Sequence, residues 1–378
     1  MKKILSILLA SAMIVSLTAC GSSQPAPATT AAPAAQAAET TAAPETTAAA
    51  AETAAPAPAE TAAAADDFDP SKITLFWSSV LINHPVLRCC ELGFKEACEE
   101  LGYDYVITGP ESQDSNDMCA MAEAACAAGA TAGLLWAEND IGVNGVDTLV
   151  KDYDAIVGAP HMMWEDGTCP GLAFCRGCSP KLYGKEVADF IVERLGDKEG
   201  SIAITQATFN LNEDAAAAAF KEELEALQAQ GKGTGLKLLD PAVEGGADIM
   251  ESTNVNASII QANPDLVAAF STTGAGPVTW SNAARKCNKQ PGDLVIVAMD
   301  YTADNLAEID AGYCTAIVAQ PLYAEAYEGV VLLDKILRGE DVKYFEFMDA
   351  PLVYAGGEGD HDPENYKGIL DRVNETFK

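Results

Sequence analysis

Positive charge is scarce in this chain. Its 378 residues hold 23 Lys and Arg against 56 Asp and Glu, a formal net charge of -33. Binding a phosphate backbone needs clustered Lys and Arg, and no basic stripe is present, so nucleic acid is excluded as a partner. There are three histidines, and no second CxxC joins Cys175-Arg-Gly-Cys178, which argues against zinc and any other metal centre. No GxSxG elbow surrounds a serine, so hydrolysis by a Ser78/His84 pair has no supporting frame. The apolar stretch at 4–17 is shorter than the roughly 20 residues that span a bilayer. Residues 21–65 contain no Val, Ile, Leu, Met, Phe, Trp or Tyr. With 49% hydrophobic residues overall, the remainder can still build sizeable cores.

Lys2 and Lys3 precede the short apolar stretch, and Leu17-Thr18-Ala19-Cys20-Gly21 follows it. This resembles a bacterial lipoprotein signal with its lipobox. The resemblance implies a signal over 1–20, acylation of the Cys20 thiol and cleavage just before it. The chain would then sit lipid-anchored on the extracytoplasmic face of the cell membrane. Acyl chains hold it in the bilayer at about 0.8 kcal/mol per buried methylene. Residues 21–65 are Ala, Thr, Pro and Glu with loose repeats, and nothing there offsets chain entropy. They read as a disordered tether that prolines keep extended.

The folded part begins near Asp66. Apolar runs at 73–77, 105–107, 133–136, 155–157, 201–205, 236–239, 266–270, 294–298 and 315–319 read as short buried strands. Helical patterns lie between them, including 85–101, 114–128, 213–229 and 324–337. Such alternation defines an α/β chain with parallel sheets covered on both faces. It restarts after about 170–180, which suggests two similar doubly wound lobes. Open parallel sheets take ligands at the carboxyl ends of their strands. Ser78, Glu138, His161, the stretch 206–212, Thr273, Asp300 and Gln320 occupy those ends. The set is polar and aromatic and suits a small polyhydroxylated or otherwise polar ligand.

The chain resembles the type I periplasmic binding proteins, of the ribose-binding-like sugar group, over roughly 72–355. The resemblance is carried by Ser78 with Asn83-His84-Pro85, Gly93-Phe94 and Leu101-Gly102-Tyr103. It continues in Asn263-Pro264-Asp265, in Val295 to Asp300, in Ala319-Gln320-Pro321, and in Leu337-Arg338-Gly339. It implies two lobes joined by a three-strand hinge. One lobe is 71–177 plus 321–350, the other 178–320 plus 351–378. Ligand is captured between them, and closure is a hinge motion favoured by contacts made only when shut. The resemblance further implies delivery to an ABC permease with its ATPase, with no cofactor and no bond-making. A ligand-sensing lipoprotein partnering a membrane receptor or histidine kinase is the alternative, since the same fold serves both.

Carried across residue by residue, Ser78 matches a first-loop ligand contact, and His84 falls at or beside a family asparagine. Asp300 matches an aspartate that accepts from sugar hydroxyls, which charge-assisted bonds favour. Gln320 matches a hinge-proximal glutamine that donates and accepts. Thr273 falls where the family often has asparagine. Pro160-His161-Met-Met-Trp164 replaces the family's Asp-Arg, and Asn210-Leu-Asn212-Glu-Asp214 lacks its arginine, leaving Asn212 as a substitute polar contact. These departures leave the identity of the sugar open. Trp164 could stack on a sugar ring or pack at the lobe surface. Trp77, Trp136 and Trp280 read at least as readily as core. The ten cysteines beyond Cys20 read as buried small hydrophobes, with Cys169–Cys175 or Cys169–Cys178 as possible disulfides.

Overall fold

A computed structural model describes residues 68–164, 167–207, 211–243 and 248–378. The signal, Cys20 and the tether lie outside the described residues, as do 208–210 within the strand-end stretch 206–212. The first sheet is built from β1 (Thr74–Ser78), β2 (Asp104–Thr108), β3 (Ala130–Leu135), β4 (Ile156–Pro160), β5 (Leu172–Gly177) and, far along the chain, β12 (Phe345–Phe347). Its order is β12-β5-β4-β3-β1-β2, parallel throughout. The second sheet takes β6 (Gly200–Gln206), β7 (Leu236–Leu238), β8 (Ala242–Val243), β9 (Leu266–Ser271), β10 (Val295–Met299), β11 (Ala316–Val318) and β13 (Leu352–Val353). Its order is β13-β11-β10-β9-β6-β7, with β8 also on β6 and β13 antiparallel to β11. The chain passes between the sheets three times: after β5, after β11 and after β12.

The helices are α1 (Arg88–Leu101), α2 (Ser115–Ala127), α3 (Asp140–Tyr153), α4 (Pro180–Leu195), α5 (Leu211–Ala229), α6 (Ile249–Ala262), α7 (Gly276–Lys286), α8 (Ala303–Asp310), α9 (Leu322–Leu337) and α10 (Pro363–Thr376). Several begin directly after a strand because a cap satisfies the first free N–H groups. Asp114 caps α2, Asn139 caps α3, Ser179 caps α4 ahead of Pro180, and Thr302 caps α8. Gly102, at φ 82°, ends α1 in the left-handed region that glycine adopts at little cost. No helix among the described residues is long and apolar enough to cross a membrane.

Helix α9 follows the second sheet in sequence yet packs on α1, β3, β4 and β5. The crossing with α1 is close. A Cβ built on Gly93 would lie 2.1 Å from the Tyr323 carbonyl oxygen. Helix α10 follows β13 and lies against both α1 and α8. Strand β5 falls where the sequence showed only a boundary between halves. Its run is short, and Arg176 interrupts it before the apolar count reaches a strand-like pattern. The Arg176 guanidinium is buried nonetheless, donating to the carbonyls of Cys175 (2.6 Å) and Lys343 (3.1 Å). All ten described cysteines are free thiols, so neither Cys169–Cys175 nor Cys169–Cys178 is paired.

Candidate functional site

Parallel pairing brings the carboxyl ends of β1, β3 and β4 to one edge of the first sheet. Trp136 leaves β3 there and stacks on the His161 ring that follows β4, with centroids 4.6 Å apart and planes 14° from parallel. His161 has φ 68°, a turn that folds its imidazole back toward the lobe. Its Nδ1 lies 3.1 Å from Glu325 Oε2, on the first turn of α9. Glu325 is fully buried, and its second oxygen has no hydrogen-bond partner.

The second sheet contributes Asp300, directly after β10 and also at positive φ, 66°. Asp300 is 7% exposed, and its buried Oδ1 has no hydrogen-bond partner. Asn305 holds the surrounding loops by donating from Nδ2 to the carbonyls of Gly274 (2.9 Å) and Asp300 (2.8 Å). Burial pushes the Asp300 carboxyl from its ordinary 3.8 to about 7. His161 pulls it down and Glu325 pushes it further up. At His161 burial pulls the imidazole down. The charges of Glu325, then Asp300 and Glu138, more than offset this, so it stays protonated above its ordinary range. One imidazole thus bonds the Glu325 carboxylate and feels the charges of Asp300 and Glu138.

The lobes meet around this group. A Cβ on Gly274, after β9, would lie 2.7 Å from Asp300 Oδ2 and 3.6 Å from Val86 Cγ2, on the loop entering α1. Next to Asp300, Tyr301 is buried, its ring 4.7 Å from that of Tyr366 on α10.

The residues singled out in the sequence fall into three sets. His161, Asp300 and Glu138 converge, with Glu138 Oε1 accepting weakly from Ser115 Oγ at 3.4 Å. Gln320 is buried beside them, donating to Cys178 Sγ at 3.5 Å, and that thiol in turn feels Glu325 and Asp300. Thr273 is buried on the loop that carries Gly274, its hydroxyl 3.1 Å from Ser271 Oγ. Trp164 is half-buried and donates its indole N–H to the Ala137 carbonyl at 2.7 Å. His84 is half-buried, its Nδ1 has no partner, and burial pushes its pKa down. Two residues stand apart. Ser78 is fully buried and donates to the Met118 carbonyl inside its own lobe, while Asn212 is half-buried at the start of α5.

Glu325 was missed. Its signal was helical spacing: it sits three residues after Leu322 and four before Gly329, both buried, so an acid occupies a core position. Trp77 and Trp280 are core, the latter donating to Thr205 Oγ1 at 2.8 Å. Gly231 to Gly235 is a turn joining α5 to β7.

The model of the periplasmic binding protein domain family matches residues 78–341. This chain belongs to that family, and its two parallel-sheet lobes are the family's type I architecture. The ribose import binding protein of Escherichia coli is 23% identical over 288 residues, 72% of this chain and 87% of that one. A solute binding protein of Burkholderia graminis, solved in complex with D-arabinose, superposes with a TM-score of 0.66 at 17% identity. The superposition covers 76% of this chain and 96% of that one. GanP, a glucose-galactose binding protein from Geobacillus stearothermophilus, gives 0.65 at 16% identity over 75% and 97%. The motif resemblance over 72–355 and these matches coincide.

Proposed function

We propose that this protein captures a sugar or sugar-like polar molecule between its lobes and hands it to an ABC importer. The observation that carries the reading is the pair of buried acceptors, Asp300 Oδ1 and Glu325 Oε1, without partners at facing strand and helix ends. A buried acceptor without a donor costs about 1–3 kcal/mol, and a hydroxyl-rich guest repays it. Similarity to proteins named for ribose, arabinose and glucose-galactose binding supports the same class. Asp300 accepts from the guest, Gln320 both donates and accepts, and His161 donates. Trp164, His84, Glu138 and Thr273 frame the pocket, while Ser78 braces β1 against α2 behind it. The work is binding and closure, with no bond made or broken.

The same proposal places the chain on the outer face of the membrane through an acylated Cys20, with 21–65 as its tether. Labelled palmitate should enter the wild-type protein and not Cys20→Ala. Titration calorimetry against pentoses, hexoses, amino sugars and nucleosides tests capture; silence across that set removes the reading. Cross-linking in native membranes should recover a permease and its ATPase. Recovery of a receptor kinase instead would make the protein a sensor.

A further inference from the structure

His161 Nδ1 lies 3.1 Å from Glu325 Oε2, the charges of Asp300 and Glu138 reach the same ring, and Asp300 Oδ1 and Glu325 Oε1 are buried without hydrogen-bond partners. A fourth acid, Glu213, lies at the rim of the second sheet. Its Oε2 accepts from the Thr272 hydroxyl (3.0 Å) and from the Ala207 N–H (2.6 Å). Its charge reaches Tyr183, as do those of Asp300 and Glu325. The other titratable groups facing Asp300 are Cys89 and Cys90 of α1, Cys178, and Tyr183 of α4. Burial pushes all of these up, so they are neutral. Arg88, which opens α1, is engaged: NH1 bonds Glu91 Oε2 at 2.5 Å, NH2 bonds Asn83, and the guanidinium lies 4.2 Å over the Phe377 ring. Among the described residues, His161 is the cation whose charge bears on Asp300.

A neutral polyol would bring donors to Asp300 Oδ1 and Glu325 Oε1 but no charge. Two buried carboxylates would then share one imidazolium, and one of them would keep its proton. A guest bearing a protonated amine brings N–H donors together with the missing charge, and charge-assisted bonds are the stronger ones. We infer that the guest is a cationic sugar or sugar-sized polyol whose ammonium sits between Asp300 and Glu325. This rests on the between-lobe reading and narrows its ligand class.

The test is titration calorimetry of the wild-type protein at pH 7 in two buffers of different ionisation enthalpy. The probes are glucosamine, galactosamine and mannosamine, their neutral parents, their N-acetyl forms, and ribose, arabinose and xylose. At least one amine should bind about tenfold or more tighter than both its parent and its N-acetyl form, about 1.4 kcal/mol. Its binding should release up to about half a proton as Asp300 ionises fully. Asp300→Asn and Glu325→Gln, each checked for an unchanged circular dichroism spectrum, should erase the preference. An amine no tighter than its neutral forms overturns the inference, and if a neutral sugar binds, the between-lobe reading stands. Tighter binding that survives both Asp300→Asn and Glu325→Gln puts the ammonium elsewhere and also overturns it. Silence from every probe overturns the inference, and silence from nucleosides as well overturns the between-lobe reading.

Discussion

His161 Nδ1 and Glu325 Oε2 lie 3.1 Å apart, joining the end of β4 to the first turn of a helix 164 residues further along the chain. The pair fixes where α9 meets the first sheet and sets the charge of the cleft.

Removing the carboxylate should show on the imidazole. In Glu325→Gln the largest influence holding His161 above its ordinary range is gone while burial still depresses it. Its pKa should fall, read from the ring C–H signals by NMR. The sign for stability follows. The raised imidazole contributes below pH 6.5, and that contribution is lost as pH rises through its folded value. An unmoved titration would show that the pair is not formed in solution.

Asp300 should make the ligand-free protein less stable toward neutral pH. Its folded carboxyl titrates near 7 against an ordinary 3.8, so the unfolded chain binds fewer protons between those values. Stability therefore falls as pH rises from about 4 to about 7, by at most roughly 4 kcal/mol. Thermal melts across that range should slope downward for the wild type and flatten in Asp300→Asn. Parallel slopes would remove the buried charge from the account.

Gly274→Ala tests the seat of Asp300, since the approach to Val86 is ordinary van der Waals contact. The new methyl would meet Asp300 Oδ2 at 2.7 Å and Val86 across the lobes at 3.6 Å. Affinity for any bound sugar should drop about tenfold or more, roughly 1.4 kcal/mol, with the melting temperature little changed. Unaltered affinity would mean that Asp300 does not rest against Gly274 in the bound form.

At the C-terminus charge and packing contribute unequally. Arg372 reaches Glu96 at 2.7 Å, but its side chain is 44% exposed. Arg372→Ala should cost less than about 1 kcal/mol in denaturant melts. Leu370, 7% exposed on the same helix, should cost about 2–4 kcal/mol as Leu370→Ala. The reverse order would mean that α10 is held by its ion pair.

Thiol reactivity should follow burial. Nine of the ten described cysteines are buried, and Cys287, at the C-terminal end of α7, is half-buried. In native protein a thiol reagent should label Cys287 first and leave Cys90, Cys178 and Cys314 until denaturant is added. Fast labelling of several buried positions would contradict the packing of α1 and β11.

The fold was legible because both sheets are built from short apolar runs that are buried on two faces, as 201–205 and 294–298 show. Strand β5 was not, because buried Arg176 breaks its run and finds its partners at Cys175, Lys343 and Glu346, two of them some 170 residues away. Strands β12 and β13, at three and two residues, are too short to carry a period. Asp300 and His161 could be located because each directly follows a strand. Glu325 stood on a helix, where strand-end reasoning does not look. Nothing in the sequence near Ser78 says that its hydroxyl turns inward to Met118, a contact set by the packing of α2 on β1.

The most direct test is a crystal structure with the tightest-binding probe. The account expects the guest between the lobes, with N–H or O–H donors within about 3.2 Å of both Asp300 Oδ1 and Glu325 Oε1. A guest bound outside the cleft, or inside it with both oxygens still unpartnered, would contradict it.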